Sequence, residues 1–421
     1  MNRTSVIPNA PAVDTRFVYL APKDVQIARV ARKCMMHLCE ALVVAGADVE
    51  LICLRVEVME SEPTAERTIW DVFGIEQEFR VTMIPTAIRQ RSMDSKWVRG
   101  AITGYRLLVY PWYALRAHLR SGPEGRRPAR TVFYSRNYGC LAGVLALRWL
   151  LGKRARMIIE VHVVPVGRLR RALVRMADGV AAQSLALRER LVQEGLVSEQ
   201  ASVGRHTGFS PALTKRVRMT RGEARRELRW PETDRIVCYT GKVYWGMDEI
   251  ELLVQAAALL AEEGIRFVFV GGRSDQAALW SDEVALRGVS NAEFVGFVAP
   301  SDALLYQMAA DALVLYYSSG IALNEYRSPG KLFEYMASGT PAVVADFPSI
   351  REVIRPGQNG LLVEPDRPDL LAQALRSLFA DPELAERLAR TAQSDAEDYT
   401  WSATACATLE LVSRLWDGEG A

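Results

Sequence analysis

The chain alternates between short apolar runs and longer segments in which apolar residues recur every three to four positions. The runs predict β-strands, and the periodic segments predict amphipathic helices. One such series begins at Arg16 and extends to about Gly195, and a second extends from Arg235 to about Asp395. Helices between successive apolar strands are typical of parallel sheets that are covered on both faces. We therefore expect an α/β fold with two doubly wound, Rossmann-like domains.

The apolar runs give the predicted strands directly. In the first series they are RFVYLAP, ADVELICLRV, YRLLVYPW, ARTVFYSRN, ARMIIEVHVV and DGVAAQS. In the second series they are RIVCYTG, IRFVFVGG, AEFVGFV, LVLYYSS, TPAVVAD and LLVEP. The charged segment 211–235 ends in a proline turn and predicts an interdomain connection. The expected organisation is an N-terminal domain 1–210, a C-terminal domain 236–398, and a last helix, 399–421, that packs back on the N-terminal domain.

Composition places the chain among globular proteins. It has 421 residues, of which 49% are hydrophobic and 24% charged, and this excludes a disordered chain or one small module. The six cysteines are scattered without a metal-binding or disulfide pattern, which favours a reducing, cytoplasmic location. The amino end lacks the apolar run of a signal peptide, and no segment is long and apolar enough to span a membrane.

Charge is distributed unevenly along the chain. Residues 1–250 hold 40 Lys and Arg against 25 Asp and Glu, whereas residues 251–421 hold 12 against 25. A positive field favours an anionic lipid surface, a phosphorylated substrate or nucleic acid, although arginines also simply solvate helix faces. No nucleic-acid-binding motif organises these charges, so a nucleic-acid partner is disfavoured. Peripheral contact with the inner membrane face through the N-terminal domain remains an expectation, and the oligomeric state stays open.

The segment that begins at Ser328 combines groups that bind phosphate. Ser328 and Pro329 predict the start of a helix, whose first amides and the ammonium of Lys331 can hold an anion. Glu334 follows nearly one turn later, so its carboxylate shares a face with Lys331 and can accept from a ribose diol. An ordinary surface salt pair is the alternative interpretation of these two side chains.

A family resemblance extends this interpretation. The run SPGKLFEYMASGTPAVVAD, followed by Glu352 and NGLLV, resembles the nucleotide-sugar site of the retaining glycosyltransferases of family 4. The segments YTGKVYWGMDEIELLVQAAALL, RFVFVGG and EFVGFVAPSDALLYQMAADALVLYYSS resemble the strands and loops before that site. The resemblance implies the glycosyltransferase-B fold, in which two Rossmann-like domains face a cleft.

The same resemblance implies an activity and a set of contacts. It implies a retaining hexosyltransferase that moves a sugar from a UDP- or GDP-sugar to a glycan, lipid-linked or small-molecule acceptor, as in polysaccharide or glycoconjugate biosynthesis. Lys242 and Lys331 would neutralise the departing diphosphate, which is where negative charge grows in the reaction. Glu334 would hold the ribose, and the backbone of Phe297 and Val298 the base. The remaining donor contacts would be Gly241, Gly271, Ser328 and Leu332. No Asp-x-Asp motif is present, so we expect a metal-independent site, with no cofactor besides the donor substrate.

Two further side chains are catalytic candidates. His162 ends the strand MIIEVH and resembles a family histidine near the donor sugar or acceptor, where it could relay a proton or orient a hydroxyl. Glu160, two residues earlier, would face the same side, and a purely structural histidine is the alternative. Glu325 is the candidate for the first of the family's two glutamates. Eight residues separate it from Glu334 where the family has seven, and Tyr326 occupies the strictly spaced position.

Departures from the family pattern support a second hypothesis. Trp245 stands where the phosphate loop often has a lysine, and the loop from Ala21 to Lys33 lacks the usual glycine. Trp245 and the altered glutamate spacing suit a catalytically inactive binding or scaffold protein that keeps the fold. A nicotinamide dehydrogenase is disfavoured, because no Gly-x-Gly-x-x-Gly follows a predicted strand.

Overall fold

The computed structural model describes residues 15–21, 30–57, 68–89, 103–121, 128–211 and 219–417. By its own contacts the chain divides into two compact units. The first unit comprises residues 1–206 together with 401–421, and the second comprises residues 207–400. The predicted loop 21–33 lies mostly outside the described residues, as does part of the predicted connection 211–235.

The described part of the first unit contains one parallel sheet. Its strands are β1 (Thr15–Ala21), β2 (Asp48–Glu57), β3 (Arg80–Arg89), β4 (Arg130–Ser135), β5 (Ala155–Val161), β6 (Gly179–Ala182) and β7 (Ser202–Gly204). They are hydrogen-bonded in the order β3-β2-β1-β4-β5-β6-β7. The described helices are Val30–Val44, Ile69–Phe73, a π-helix Tyr105–Val109, Tyr110–Leu119, Tyr138–Leu145, Arg148–Leu151, a 3-10 turn Gly152–Arg154, Arg168–Met176, Leu185–Gln193 and Trp401–Asp417.

A second parallel sheet lies in the other unit. Its strands are β8 (Arg235–Thr240), β9 (Ile265–Val270), β10 (Ala292–Gly296), β11 (Ala312–Leu315), β12 (Ala342–Ala345) and β13 (Leu361–Val363), in the order β10-β9-β8-β11-β12-β13. The described helices are Arg221–Leu228, Asp248–Leu259, a 3-10 turn Ala261–Glu263, Ser274–Leu286, Pro300–Ala309, a 3-10 turn Ala322–Glu325, Gly330–Ser338, Pro348–Arg351, Pro368–Ala380 and Pro382–Ala396.

Each sheet lies inside its own apolar core. The strands β1 and β12 are buried along their whole length, as expected for strands covered on both faces. The chain order reverses on either side of β1 in the first sheet and of β8 in the second. Ligands in doubly wound sheets bind at such switch points, beyond the carboxyl ends of the strands. The predicted fold class, two doubly wound α/β domains, is confirmed.

The final helix packs within the first unit. Helix Trp401–Asp417 contacts helix Val30–Val44, and the rings of Trp401 and His37 stack with their centroids 5.9 Å apart. Trp416, at the other end of the helix, lies under the guanidinium of Arg156, 4.9 Å from its ring centroid. No helix among the described residues is long and apolar enough to cross a bilayer.

One predicted strand is wrong. The run YRLLVYPW is helical, because Tyr110, Ala114 and Ala117 are buried at a helical spacing while Leu108 points outward. Pro111 fits the first turn of that helix, where its missing N–H costs nothing. Trp112, at the end of that run, and Tyr113 therefore lie on this helix.

Strands β3 and β7 and the helix Ser274–Leu286 are among the elements that the sequence patterns did not predict. Strand β3 is an edge strand that contains Pro85, which an edge tolerates, and Val81 and Met83 in it are only half-buried. Strand β7 has three residues, too few to show a period. The helix Ser274–Leu286 exposes apolar side chains such as Leu279 and Leu286, so its pattern lacks a clear apolar face, and the sequence analysis assigned no element there.

Candidate active site

Glycines directly follow the neighbouring strands β8 and β9 of the second sheet and allow a close backbone approach. The amide of Gly241 donates to the carbonyl of Val270 at 2.8 Å, and the amide of Gly271 donates to the carbonyl of Gly296 at 2.7 Å. Gly271 has a φ of +128°, and a Cβ added there would collide with the carbonyl oxygen of Gly241. Any larger residue would push the ends of β8 and β9 apart.

Lys331 lies directly against the first of these turns. It occupies the first turn of helix Gly330–Ser338, and a Cβ added to Gly241 would collide with its ammonium. Its Nζ donates to the hydroxyl of Tyr239 at 3.1 Å and lies 4.2 Å from the centroid of that ring. The same hydroxyl donates to the carbonyl of Lys242 at 3.1 Å. Tyr239 thus links both lysines that the sequence assigned to the diphosphate.

The surroundings of Lys331 disfavour its positive charge. The pKa of its ammonium is lowered to about 7, mainly by burial and in addition by the positive charges of Arg327 and Lys242. Glu334 and Glu249 oppose this shift without cancelling it. An ammonium held among other cations gains most from an anionic ligand, because the ligand supplies the missing negative charge.

Arg327 is a basic residue that the sequence interpretation missed. Its guanidinium lies 4.4 Å from the centroid of the buried Tyr317 ring, which fixes it beside Lys331. Arg327 directly precedes Ser328 in the sequence, but a single arginine before a predicted helix start does not by itself indicate a binding site. Arg327 adds a positive charge to a site whose loop has Trp245 instead of lysine. The Trp245 ring lies 5.1 Å from that of Trp280, and its amide donates to the side chain of Gln276 at 2.8 Å.

The predicted helix cap is wrong. Pro329 is the N-cap residue, and no side chain caps the helix. The hydroxyl of Ser328 instead accepts from the amide of Thr207 at 2.9 Å, and the Ser328 carbonyl accepts from the Thr207 hydroxyl at 3.1 Å. Ser328 therefore ties the start of the helix to the beginning of this unit. Gly330 and Lys331 are the first two residues of the helix, and amides at a helix start favour an anion.

Leu332 and Glu334 occupy different surfaces of the same helix. Leu332 is fully buried, and its amide donates to the carbonyl of Pro329 at 2.9 Å, so neither group is directed at a ligand. Glu334 is half-buried, and its carboxylate raises the pKa of Lys331, as expected for two groups on one face. The roles of Lys331 and Glu334 as donor contacts stay a prediction.

The predicted base contacts lie at the end of β10. Phe297 follows the strand with its side chain 79% exposed, while Val298 packs partly against the core. Strand β10 lies at the edge of the sheet, next to β9. The exposed ring of Phe297 and the backbone of this edge strand are groups that can contact a nucleobase.

Glu325 is a candidate residue that lies on the surface of the second unit. It is exposed at the end of the 3-10 turn Ala322–Glu325, while its neighbour Asn324 is buried and donates to the carbonyl of Ser318 at 2.7 Å. Asn324 therefore holds the turn in place, and Glu325 projects from it. Its role as a sugar contact stays a prediction.

The histidine candidate lies in the first unit, directly after β5. The His162 ring lies 2.7 Å from the carboxylate of Glu160 and 2.7 Å from the guanidinium of Arg136. Its carbonyl accepts from the side chain of Gln183 at 2.6 Å. The prediction that Glu160 faces the same side as His162 is confirmed.

Glu160 is the centre of a buried polar network. Its carboxylate also accepts from the hydroxyl of Tyr134 at 3.0 Å, and the guanidinium of Arg205 donates to that hydroxyl. Burial alone would raise the pKa of the Glu160 carboxyl, but Arg136, His162 and Arg205 hold it well below its usual value. The carboxylate is therefore ionised at neutral pH and fixes the ring of His162 through a charge-assisted contact.

Metal ligation is not suggested by the described residues. Within these ranges, no group of three or more His, Cys, Asp or Glu side chains converges on one point. All six cysteines are free thiols.

Comparison with known proteins identifies the domain that holds the lysines. Residues 234–381 match the family model described as glycosyl transferases group 1. This match spans about a third of the chain. The resemblance to the family 4 glycosyltransferases is thereby confirmed, and the matched residues of the glycosyltransferase domain include Gly241, Lys242 and the whole of helix Gly330–Ser338.

A curated relative agrees with this identification. The chain is 29% identical over 245 residues to a D-inositol 3-phosphate glycosyltransferase of Rhodococcus jostii, a match that covers 54% of this chain and 53% of the relative. The chain thus spans about half the length of the curated relatives it matches.

Solved structures show the fold over nearly the whole chain. Sucrose-phosphate synthase from Thermosynechococcus elongatus is similar with a TM-score of 0.70 and 19% identity, covering 96% of this chain and 100% of that one. Anabaena HepE, in complex with UDP, is similar with a TM-score of 0.65 and 15% identity, covering 95% and 99%. The expected glycosyltransferase-B fold is confirmed.

Proposed function

We propose that this protein is a retaining, metal-independent glycosyltransferase that uses a nucleoside-diphosphate sugar. The observation that carries the proposal is the convergence of Lys331, Arg327 and Lys242 at the start of helix Gly330–Ser338, with the Lys331 pKa lowered to about 7. Transfer of a glycosyl group leaves a diphosphate with growing negative charge. Fixed cations and helix amides stabilise that charge without having to reorganise.

The donor is proposed to be UDP- or GDP-linked. Base contacts at Phe297 and Val298 through the backbone would not distinguish the two strongly, and Glu334 would accept from the ribose hydroxyls. The related HepE structures contain UDP and UDP-glucose, which makes the uridine donor the first to test. The acceptor is proposed to be a glycan, a lipid-linked sugar or a small polar molecule. The curated relatives are named for an inositol phosphate, which supports including such acceptors.

His162 is proposed to contact the acceptor or the transferred sugar. Glu160 and Arg136 both contact Nε2 of its ring, so the ring is held in place and can orient a hydroxyl group with little loss of rotamer entropy. The retaining outcome is part of the proposal on the strength of the family resemblance. The proton NMR spectrum of the first product tests it, because the anomeric coupling shows whether configuration is kept.

Two measurements test the activity itself. Nucleoside diphosphate release is followed with UDP- and GDP-sugars and a panel of acceptors, in the presence and absence of a chelator. A thermal-shift screen of the nucleotides gives the donor base, because a specific ligand raises the unfolding midpoint by mass action. Release that stops with chelator would contradict metal independence. Nucleotide binding without any release, across the donor panel, would favour the catalytically inactive scaffold.

The site assignment is tested by changing Lys331 and Glu334 to alanine one at a time. Both variants are expected to lose most of their donor turnover while they keep the far-ultraviolet dichroism of the parent. Arg390→Ala is the matched control in the same unit, because the Arg390 side chain is 73% exposed and its nearest carboxylate is 3.9 Å away. Turnover that is unchanged in both site variants would overturn the assignment.

A further inference from the structure

One face of the first unit combines exposed apolar and basic side chains. Helix Tyr138–Leu145 packs against helix Arg168–Met176, and the short helix Arg148–Leu151 adjoins the end of the latter. The guanidinium of Arg148 fixes this arrangement, since it donates to the carbonyl of Met176 at 3.2 Å. We call this surface the basic apolar face. It is defined by Trp149, Val166, Leu169, Met176, Arg154 and Arg168.

Large apolar side chains on this face point away from the core. Trp149 and Val166 are each 78% exposed and Leu169 is 75% exposed. In helix Arg168–Met176, Leu169, Ala172 and Met176 have i, i+3, i+7 spacing and form one exposed stripe. Leu173 and Val174, on the other side of the helix, are buried. An apolar stripe that the unit leaves in water costs solvation free energy, and contiguous patches of this kind mark interaction sites.

The charges around the stripe have one sign. Between Arg148 and Met176 the chain has eight basic residues and one acid, Glu160. That acid belongs to the buried network around His162. The acids nearest the face are already paired, Asp178 with Arg148 at 2.5 Å and Glu194 with Arg171 at 2.5 Å. Lys153, Arg154 and Arg168 are exposed beside the apolar stripe.

We propose that the basic apolar face binds the surface of an anionic lipid bilayer. A helix with a basic side and an exposed apolar stripe lies in the plane of the membrane interface, with the stripe in the acyl boundary and the cations at the headgroups. Trp149 suits that boundary, because its ring is apolar and its indole N–H can reach water. The charge complementarity selects acidic lipid over a neutral surface.

The mode of binding has two parts. Cations attract the protein to the leaflet, and each exposed Lys or Arg near an anionic surface strengthens binding by about fivefold. The apolar stripe then inserts, and each large side chain that leaves water strengthens binding by about tenfold. Both parts depend on residues outside the donor and His162 sites, so the proposal is independent of the proposed activity.

The experiment is flotation of the full chain with vesicles of phosphatidylcholine alone or of an equimolar mixture with phosphatidylglycerol. The protein is expected to float with the anionic vesicles and to remain in solution with the neutral ones. Brominated acyl chains are expected to quench tryptophan fluorescence of the parent, and the Trp149→Phe variant is expected to lose part of that quenching. This loss reports insertion of Trp149 rather than adsorption alone.

Three variants locate the contact. Trp149→Ala with Leu169→Ala is expected to weaken binding by about a hundredfold, and Arg154→Glu with Arg168→Glu by a similar factor. Leu286→Ala is the matched control, because Leu286 is 84% exposed but lies in the second unit. Its binding is expected to equal that of the parent. Circular dichroism and the thermal midpoint check that each variant is folded.

Several results would overturn the proposal. These are equal flotation with neutral and anionic vesicles, parent-like flotation of the folded Trp149→Ala and Leu169→Ala variant, or loss of flotation in the Leu286→Ala control. Self-association of the parent in light scattering that the Leu169→Ala change abolishes, without any flotation, would assign the face to a second copy of the chain instead.

Discussion

In the first unit Glu160 lies among Arg136, Arg205 and His162, whereas in the second unit Lys331 lies near two further cations, Lys242 and Arg327. The first group contains its own counter-charge, and the pKa of the Glu160 carboxyl is held low. The second group is short of negative charge, and the pKa of the Lys331 ammonium is lowered to about 7. A cluster whose charges already compensate one another can hold a neighbouring side chain in position. A cluster with excess positive charge favours an anionic ligand.

The largest expected effect comes from removing the central cation. Lys331→Ala should lower donor turnover by about a hundredfold or more, because a fixed positive charge on the departing diphosphate is lost. The thermal midpoint should stay the same or rise, since the lowered pKa shows that burial disfavours this ammonium. Initial rates and a thermal scan measure both quantities. A variant that loses stability in parallel with turnover would show that Lys331 is structural, like Glu160.

The opposite pattern is expected for the paired cluster. Glu160→Gln should destabilise the protein by about 3 kcal/mol, because Arg136 and Arg205 would lose their buried counter-charge. Its folded pKa is lowered, so the contribution of Glu160 is present above the usual value of 4.5 and is lost as the pH falls below it. Urea denaturation of parent and variant at several pH values tests this. Stability curves that stay equally far apart down to the most acidic pH would contradict it.

Glu160→Gln also tests whether the cluster positions His162. The affinity for the donor nucleotide should stay near that of the parent, while kcat falls and its pH profile shifts, because the His162 ring loses its carboxylate partner. Glu160→Asp, which keeps the charge, should recover part of kcat. Equal losses in the Asp and Gln variants would indicate a merely structural carboxylate.

A smaller effect is expected from the backbone that brings Lys331 against β8. Gly271→Ala should destabilise the protein by about 2 kcal/mol, because a Cβ at φ +128° meets the Gly241 carbonyl. Gly246→Ala is the matched control: its φ is +74°, but nothing lies within 4 Å of the added Cβ. It should cost about 1 kcal/mol from strain alone. Equal midpoints for the two variants in denaturant would contradict the close approach at Gly271.

The smallest effect is a pH dependence of donor binding. Above pH 7 the ammonium of Lys331 loses its proton in the empty protein, so nucleotide affinity should fall by up to about tenfold per pH unit. Phosphate ionisation, with a pKa of about 6, is complete in that range and does not compensate. Calorimetry in buffers of different ionisation enthalpy measures the proton uptake. Lys331→Arg should remove the pH dependence, and a dependence that persists in this variant would assign the proton to another group.

The two sites differed in how far sequence could predict them. In the second unit, Gly241, Lys242, Lys331 and Glu334 are close in sequence to strand ends or to one helix start, so motif and period identified them together. In the first unit only the pair Glu160 and His162 was predictable, from their alternate positions on β5. Arg136 and Arg205, which directly follow β4 and β7, lower the pKa of the same carboxyl from 24 and 45 residues away in the chain. Nothing in their local spacing indicates that contact.

The sequence by itself determined the alternation of strands and helices, two doubly wound sheets, and a helix that begins with a lysine and an acid on one face. These features follow from local periodicity and neighbouring residues. Only the tertiary structure decided that Ser328 bonds to Thr207 rather than capping the helix, that Arg327 joins Lys331, and that YRLLVYPW is helical. The bond between Ser328 and Thr207 joins residues 121 positions apart, and all three features depend on packing that local spacing does not show. Burial and the charge of such neighbours, which set the pKa of Lys331, exist only in the folded chain.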